Sequence, residues 1–502
     1  MDNNTAPSFE LKNRFHDPLS DEAQLAELGH TQELRREFSL WSVVCLQIAL
    51  MATWEALSAV AAAALTSGGS PCLFYNYLLS FASTVFIAIS LGEIASTYPT
   101  AGGQYHWVYY LGSHPYQATA AWFTGWISIG GQLALITLNH YDSYIPTRWQ
   151  GMLFYWAVVA YSMVVNIWGS RILPHTSTAA GIIHVIGFVV IVIVLGAMSP
   201  KQSTASVFTQ FSNSSGWGSD GVSWLVGLLS TVYPFLGYDA ACHLSEELPN
   251  PKRNVPLAMV GSVLINGVIG LGYTIMLLFT IGDLQHLLDS KTGFPFMQLF
   301  LDITSSPAGA SVLTLFITVT ATAANASCTT SVSRTAWAFA RDGGLPWSNL
   351  CSVVHPTLKV PMRMILMVCL LQMLLGLLYL ASSTAFNAVL SMAVFGMYAS
   401  CLFPISFMLV HRYSNTGRHS GLLGTFALGR VPGAVVNIVS ALWLVLAMVF
   451  STFPTLQPVT PDNMNYCVVV TMGWVAIGAV YYYLLGGKKQ FQGPLAHLVE
   501  RP

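Results

Sequence analysis

Twelve stretches of about twenty mostly apolar residues recur along the 502-residue chain, separated by short polar punctuation. Hydrocarbon offers no hydrogen-bond partner to a backbone, so a segment that crosses a bilayer has to satisfy its amides internally, as a helix does. The windows, approximately 39–66, 71–97, 117–139, 150–170, 176–199, 223–245, 257–281, 306–330, 362–381, 384–410, 432–453 and 464–485, therefore predict an all-α polytopic membrane protein with twelve transmembrane helices. Composition agrees. Only 8% of residues are charged, against roughly 25% in a soluble domain, and a net charge of −1 gives no reason to expect nucleic acid as a partner.

The first 38 residues are polar and of mixed charge, without the apolar core and small-residue cleavage site of a secretory signal. If this tail is cytosolic, seventeen of the twenty Lys and Arg residues fall on the inner face, and only Arg148, Lys201 and Lys291 fall outside. That bias follows the positive-inside rule and places both termini in the cytosol. Most of the eight cysteines sit inside windows, where small apolar packing is their expected role; Cys72 and Cys467 alone fall near the outer face, where an oxidised pair could persist.

The sixth window contains Tyr233-Pro234-Phe235-Leu236-Gly237-Tyr238-Asp239. Proline lacks the amide proton a helix needs and glycine tolerates backbone angles that other residues avoid, so two half-helices are expected here. A spanning helix breaks only where the freed groups face a cavity, a ligand or other protein. In the first window, Ala52-Thr53-Trp54-Glu55-Ala56-Leu57-Ser58 carries a mid-depth acid, and Trp54-Glu55-Ala56 mirrors Tyr238-Asp239-Ala240. Matching breaks five helices apart are the mark of an inverted repeat with substrate bound at the midplane. The predicted organisation is a LeuT-like five-plus-five repeat, 39–200 and 223–410, with helices 1 and 6 broken, two C-terminal helices over 432–486, and cytosolic tails 1–38 and 487–502.

Three further stretches name a family. GYDAACHLSEELPNPKRNVP (237–256), SLGEIASTYPTAGGQYHWVYYLG (90–112) and SVSRTAWAFARDGGLP (331–346) resemble, in order and spacing, segments of the amino acid–polyamine–organocation transporters, and are most similar to the fungal amino acid/choline permeases. The resemblance covers about residues 38–486 and implies a secondary active permease in the plasma or vacuolar membrane, with alternating access around a midplane site, carrying an amino acid or a related amine such as γ-aminobutyrate or choline. Each stretch also has a physical reading. Pro99, Gly102 and Gly103 can turn the chain at the inner surface, and Arg334 and Arg341, seven apart on one helical face, suit an inner-gate contact or a lipid-headgroup anchor.

The opened backbone of helix 6 could face an anionic substrate group, while Trp54, Glu55, Tyr233, Phe235, Tyr238 and Asp239 could hold a cationic amine through ring faces and carboxylates. Ala52, Thr53 and Gly237 belong to the same two breaks, and Gln132 and Asn325 are polar candidates on neighbouring helices, as is Asn387; an interhelical hydrogen bond is the commoner role of such amides. Asp239 and His243 are four apart on one face, with Glu246 following towards the cytosol, a spacing that suits a proton relay. Asp239 could at the same time cap the second half-helix, and His243 could instead be a hydrogen-bonded core histidine. Protons are thus the expected coupling ion, with no cofactor. A nutrient sensor on the same fold and a polyamine or organocation exchanger stand as alternatives; the chain contains neither a HExxH zinc motif nor a GxxxxGK[ST] phosphate loop, so an intramembrane enzyme and direct ATP coupling are not expected.

Overall fold

The computed structural model describes residues 18–112, 116–137, 148–168, 171–288, 295–381, 383–413, 424–461 and 463–494; the side chains of 378–391, Asn387 among them, lie outside the described set. Among the described residues the chain is all-helical. In chain order the helices used below are α1 (Pro18–Glu27), α2 (Leu40–Met51), α3 (Thr53–Thr97), α4 (Gln104–Leu111), α5 (Gln117–Thr137), α6 (Arg148–Trp168), α7 (Leu173–Met198), α8 (Leu229–Val232), α9 (Ala240–His243), α10 (Pro251–Thr280), α11 (Pro307–Arg341), α12 (Met362–Ala381), α13 (Ser383–Tyr413), α14 (Arg430–Ser451) and α15 (Cys467–Leu484). Nine described helical segments are long and apolar enough to cross a membrane.

Local chemistry sets the ends. Ser39 opens α2 with a reciprocal capping box: its hydroxyl accepts from the Ser42 amide at 3.1 Å, while its own amide donates to Ser42 Oγ at 2.9 Å. At the far end Ala52 adopts the left-handed conformation (φ 41, ψ 49), and the helix resumes at once as α3. An alanine there costs roughly 1–2 kcal/mol, so its surroundings have to hold it. α3 bends again at Gly69 (φ 71), just before Pro71.

The segment between α8 and α9 is broken as its proline and glycine demand. A 3-10 turn covers Tyr233–Phe235, the chain extends at Leu236, and Gly237 takes φ 97. The regular pieces on either side are only four residues each, shorter than the half-helices expected, and a second 3-10 turn follows over Ser245–Glu247. This segment is the most deeply buried of the apolar spans, whereas α7 and α15 leave most of their surface outside the bundle. α3 packs against α10, α2 against α7, and α13 against α5 and α14. Large apolar side chains such as Phe154, Ile193, Leu442 and Val469 point outward, as a lipid-facing surface requires. All eight cysteines are buried, and no disulfide joins Cys72 to Cys467.

Candidate functional site

The two breaks meet and satisfy each other. Thr53 Oγ1 donates to the Pro234 carbonyl at 3.0 Å, and Gln47 Nε2 donates to the Tyr238 carbonyl at 2.6 Å, so groups freed in the sixth span are bonded from the first. Asn266 of α10 donates to the Ile48 carbonyl at 3.4 Å. Gly237 is needed for close approach as well as for its angle: a Cβ there would stand 2.0 Å from Leu50 Cδ2.

Beside this junction lies a small cavity of about 10 Å3, lined by Leu50, Gln132, Leu135, Gly237, Asp239, Ala240, Cys328, Ser331, Val332 and Met397. Five elements meet around it: α2, α5, the broken span, α11 and α13. Its lining carries one acid and no base. Asp239 Oδ2 accepts from Gln104 Nε2 of α4 and stands 3.6 Å from His243 Nε2.

His243 is fully buried and held on both sides. Its Nδ1 lies 3.1 Å from the Ala101 carbonyl, which can only accept, so Nδ1 carries a proton. Its Nε2 is then free to accept from Gln132 Nε2 at 3.2 Å and to take a second proton beside Asp239. Among the described residues Gln132 Oε1 has no partner, and turning that amide would present an acceptor to a protonated Nε2. The loop at Gly103 presses on this histidine: a Cβ at Gly103 would meet His243 Cε1 at 2.8 Å and Cys242 Sγ at 2.9 Å.

Below the cavity the bundle is closed by ion pairs. Arg341 grips Glu246 with two bonds of 2.9 and 3.0 Å and lies over the Trp337 ring at 4.5 Å. Arg334 Nε donates to Glu247 at 2.8 Å, Tyr105 donates to Asp342 at 2.7 Å, and Arg412 bonds Glu93. Glu246 also accepts from the Ala101 amide at 3.4 Å. The segment before α2 seals the same end: Gln32 donates to the Glu246 carbonyl and the Phe38 amide to the Glu247 carbonyl. In that segment burial pushes the Glu33 carboxyl above its usual range, with Arg341 opposing, and in α4 burial holds His106 well below the ordinary imidazole value, with His30 and Arg341 adding to it.

The residues singled out in the sequence thus separate into groups. Gln132, Gly237 and Asp239 line the cavity, and His243 touches two of them. Ala52 and Thr53 form the break of the first span. Trp54 and Glu55 point elsewhere: Trp54 packs on Tyr273 and His184, and Glu55 Oε1 lies 2.9 Å from His184 Nδ1. Phe235 packs on Phe81 and Tyr77 of α3, and the Tyr238 hydroxyl lies 3.7 Å from Cys401 Sγ. Tyr233 is half-buried and near Cys328, and Asn325 accepts from Ser162 at 2.7 Å. Glu246 belongs to the ion-pair layer. Sequence reasoning passed over Gln104, which sits in the quoted AGGQY run, and His184, a lone histidine in GIIHVIGF.

Known proteins share this organisation. The sequence profile described as amino acid permease matches residues 38–475. The choline transporter of Saccharomyces cerevisiae is 33% identical over 95% of this chain and 85% of its own, and the GABA-specific permease of the same yeast is 28% identical over 96% and 86%. Among solved structures, the manganese transporter of Eremococcus coleocola superposes with a TM-score of 0.51 at 11% identity, covering 89% of this chain and 94% of its own, a likeness of fold alone. These relatives are permeases rather than enzymes. On the match over residues 38–475, the chain is a membrane permease that belongs to the amino acid permease family of the amino acid–polyamine–organocation superfamily.

Proposed function

We propose that this permease carries a small amine bearing a positive charge, of the class of choline, γ-aminobutyrate or another amino acid, coupled to protons, through the cavity at the two breaks. One observation carries the reading: a small space at the junction of two interrupted spans, whose lining holds the Asp239 carboxylate and no cation. At about 10 Å3 the space has room for little more than one water, so a cargo of this class enters only as the surrounding helices move apart. The names of the yeast relatives, a choline transporter and a GABA permease, support the same class.

In this reading Asp239 receives the ammonium group, and Gln104 holds its second face. His243, 3.6 Å away, protonates at Nε2 when the amine leaves, so substrate and proton exchange for the same carboxylate. Glu246, clamped by Arg341, serves as gate rather than as relay. The chain makes twelve spans in a five-plus-five repeat, with the Arg334–Arg341 face and both termini in the cytosol; the steep Lys and Arg bias supports that orientation. Alternating access then requires the ion-pair layer to part.

The test is uptake of labelled choline, γ-aminobutyrate, amino acids and polyamines, at two external pH values, in cells lacking their own permeases. The natural protein is expected to take up at least one charged amine, at rates that differ between the two pH values. Asp239→Asn keeps the shape and the bond to Gln104, and is expected to reach the membrane and lose that uptake. Unchanged apparent affinity in Asp239→Asn would remove the carboxylate from the binding site.

A further inference from the structure

A proton that competes with the substrate for Asp239 can only be exchanged for it. A proton that rides in the same direction needs a second site that stays occupied while the cavity is full. We propose that the buried pair Glu55–His184 is that site, a proton-binding site set between the first and fifth spans and apart from the substrate cavity. The proposal rests on the permease reading above.

Four observations support it. Glu55 Oε1 and His184 Nδ1 are 2.9 Å apart, and their side chains are 2% and 0% exposed. Neither residue lines the cavity. Among the described residues Glu55 Oε2 and His184 Nε2 have no hydrogen-bond partner, so each member of the pair keeps one polar atom unspent. Finally, the pair follows the break at Ala52 directly and is packed round by Trp54, whose Nε1 donates to the His184 carbonyl at 3.3 Å, and by Tyr273.

Electrostatics give the pair its function. With one proton, wherever it sits, the pair is net neutral; without it the pair is an uncompensated negative charge buried from solvent, which is costly. The closed packing of α7 on α2 and α3 is therefore tolerated only by the loaded pair, and an empty pair has to open to water. The proton binds to and leaves the same two atoms, so no other reactant is needed. Tyr273 of α10 is the titratable neighbour facing the pair, bonded through its hydroxyl to Ser58 at 2.6 Å. The charged groups of the other helices packed here are engaged elsewhere: Arg334 and Arg341 with Glu247 and Glu246, Arg412 with Glu93, and Asp302 with His286. Lys252 and Arg253 sit in the first turn of α10, some twenty residues from Tyr273.

The experiment uses the full chain in proteoliposomes with labelled choline, and labelled γ-aminobutyrate or a labelled amino acid if choline is not carried. Two partial reactions are compared: accumulation driven by an inward proton gradient, and exchange of unlabelled internal for labelled external substrate at equal pH. Glu55→Gln is expected to lose gradient-driven accumulation while exchange persists, because its amide can still accept from His184 Nδ1 and the loaded-like neutral pair is then permanent. His184→Gln, which takes away half of the proton-binding pair, is expected to lose gradient-driven accumulation as well and carries the test if the glutamate variant does not fold. The swapped double variant E55H/H184E restores the pair and is expected to recover gradient stimulation. If both single variants keep full gradient stimulation, or if exchange falls as far as accumulation, the proposal is overturned. Failure of the natural protein to move choline, γ-aminobutyrate or any labelled amino acid would instead overturn the substrate reading, and loss of both reactions in Asp239→Asn alone would leave that reading standing.

Discussion

Removing the guanidinium of Arg341 tests whether the ion-pair layer is a gate. In the structure Arg341 makes two bonds to Glu246, whose side chain is 1% exposed, and a ring contact with Trp337. Arg341→Met keeps much of the apolar stem but strands the carboxylate, with only the Ala101 amide at 3.4 Å left to it. Breaking a buried pair by deleting one partner costs about 3–5 kcal/mol, and the remaining amide argues for the lower end. At about 1.4 kcal/mol per decade, 3 kcal/mol moves the closed-to-open ratio by about a hundredfold. Arg341→Met/Glu246→Gln leaves no stranded charge and should recover most of this, short of the ~1 kcal/mol held in the ring contact. The assay is alkylation of Cys242, which is 1% exposed and pressed against the Gly103 loop, by an impermeant maleimide added from the Arg341 side of sealed vesicles and quantified by mass spectrometry. The rate should rise about a hundredfold in the single variant and fall back in the double. A single variant no faster than the natural protein, or a double as fast as the single, would refute the gate.

Two further outcomes follow from the break itself. Gly237→Ala adds a Cβ at 2.0 Å from Leu50 Cδ2 and a side chain at φ 97, so the melting temperature should drop by an amount corresponding to about 2–4 kcal/mol; adding Leu50→Ala should relieve the clash and leave the backbone strain, and a fully rescued double would refute the angle requirement. Trp54→Leu should destabilise by a few kcal/mol through lost packing on Tyr273 and His184, while affinities for a charged amine and for its neutral analogue fall equally; a loss confined to the charged ligand would place the indole in the cavity after all.

Much of this is written locally in the chain. The apolar windows, the proline and glycine of Tyr233–Gly237, and the i,i+4 spacing of Asp239 and His243 act over one turn or one span of helix, where backbone bonding and burial are decided by neighbours in sequence. The all-helical membrane class, the interruption of the sixth span and the facing of Asp239 and His243 are therefore legible in the order of residues alone. The family likewise shows in three contiguous stretches.

What the sequence leaves open is every choice between partners far apart in the chain. Glu55 meets His184 across 129 residues, Glu246 meets Arg341 across 95, and Gln104 meets Asp239 across 135. A carboxylate in an apolar window announces only that it needs a partner, because the cost of burial is the same whichever cation, amide or ligand meets it. Trp54, Glu55 and Phe235 sit next to the breaks in sequence, yet the rotation of the first span and the 3-10 turn of the sixth aim them at α7, α10 and α3 instead of the cavity. That aim depends on how whole helices pack, and packing is settled only when all of them are assembled.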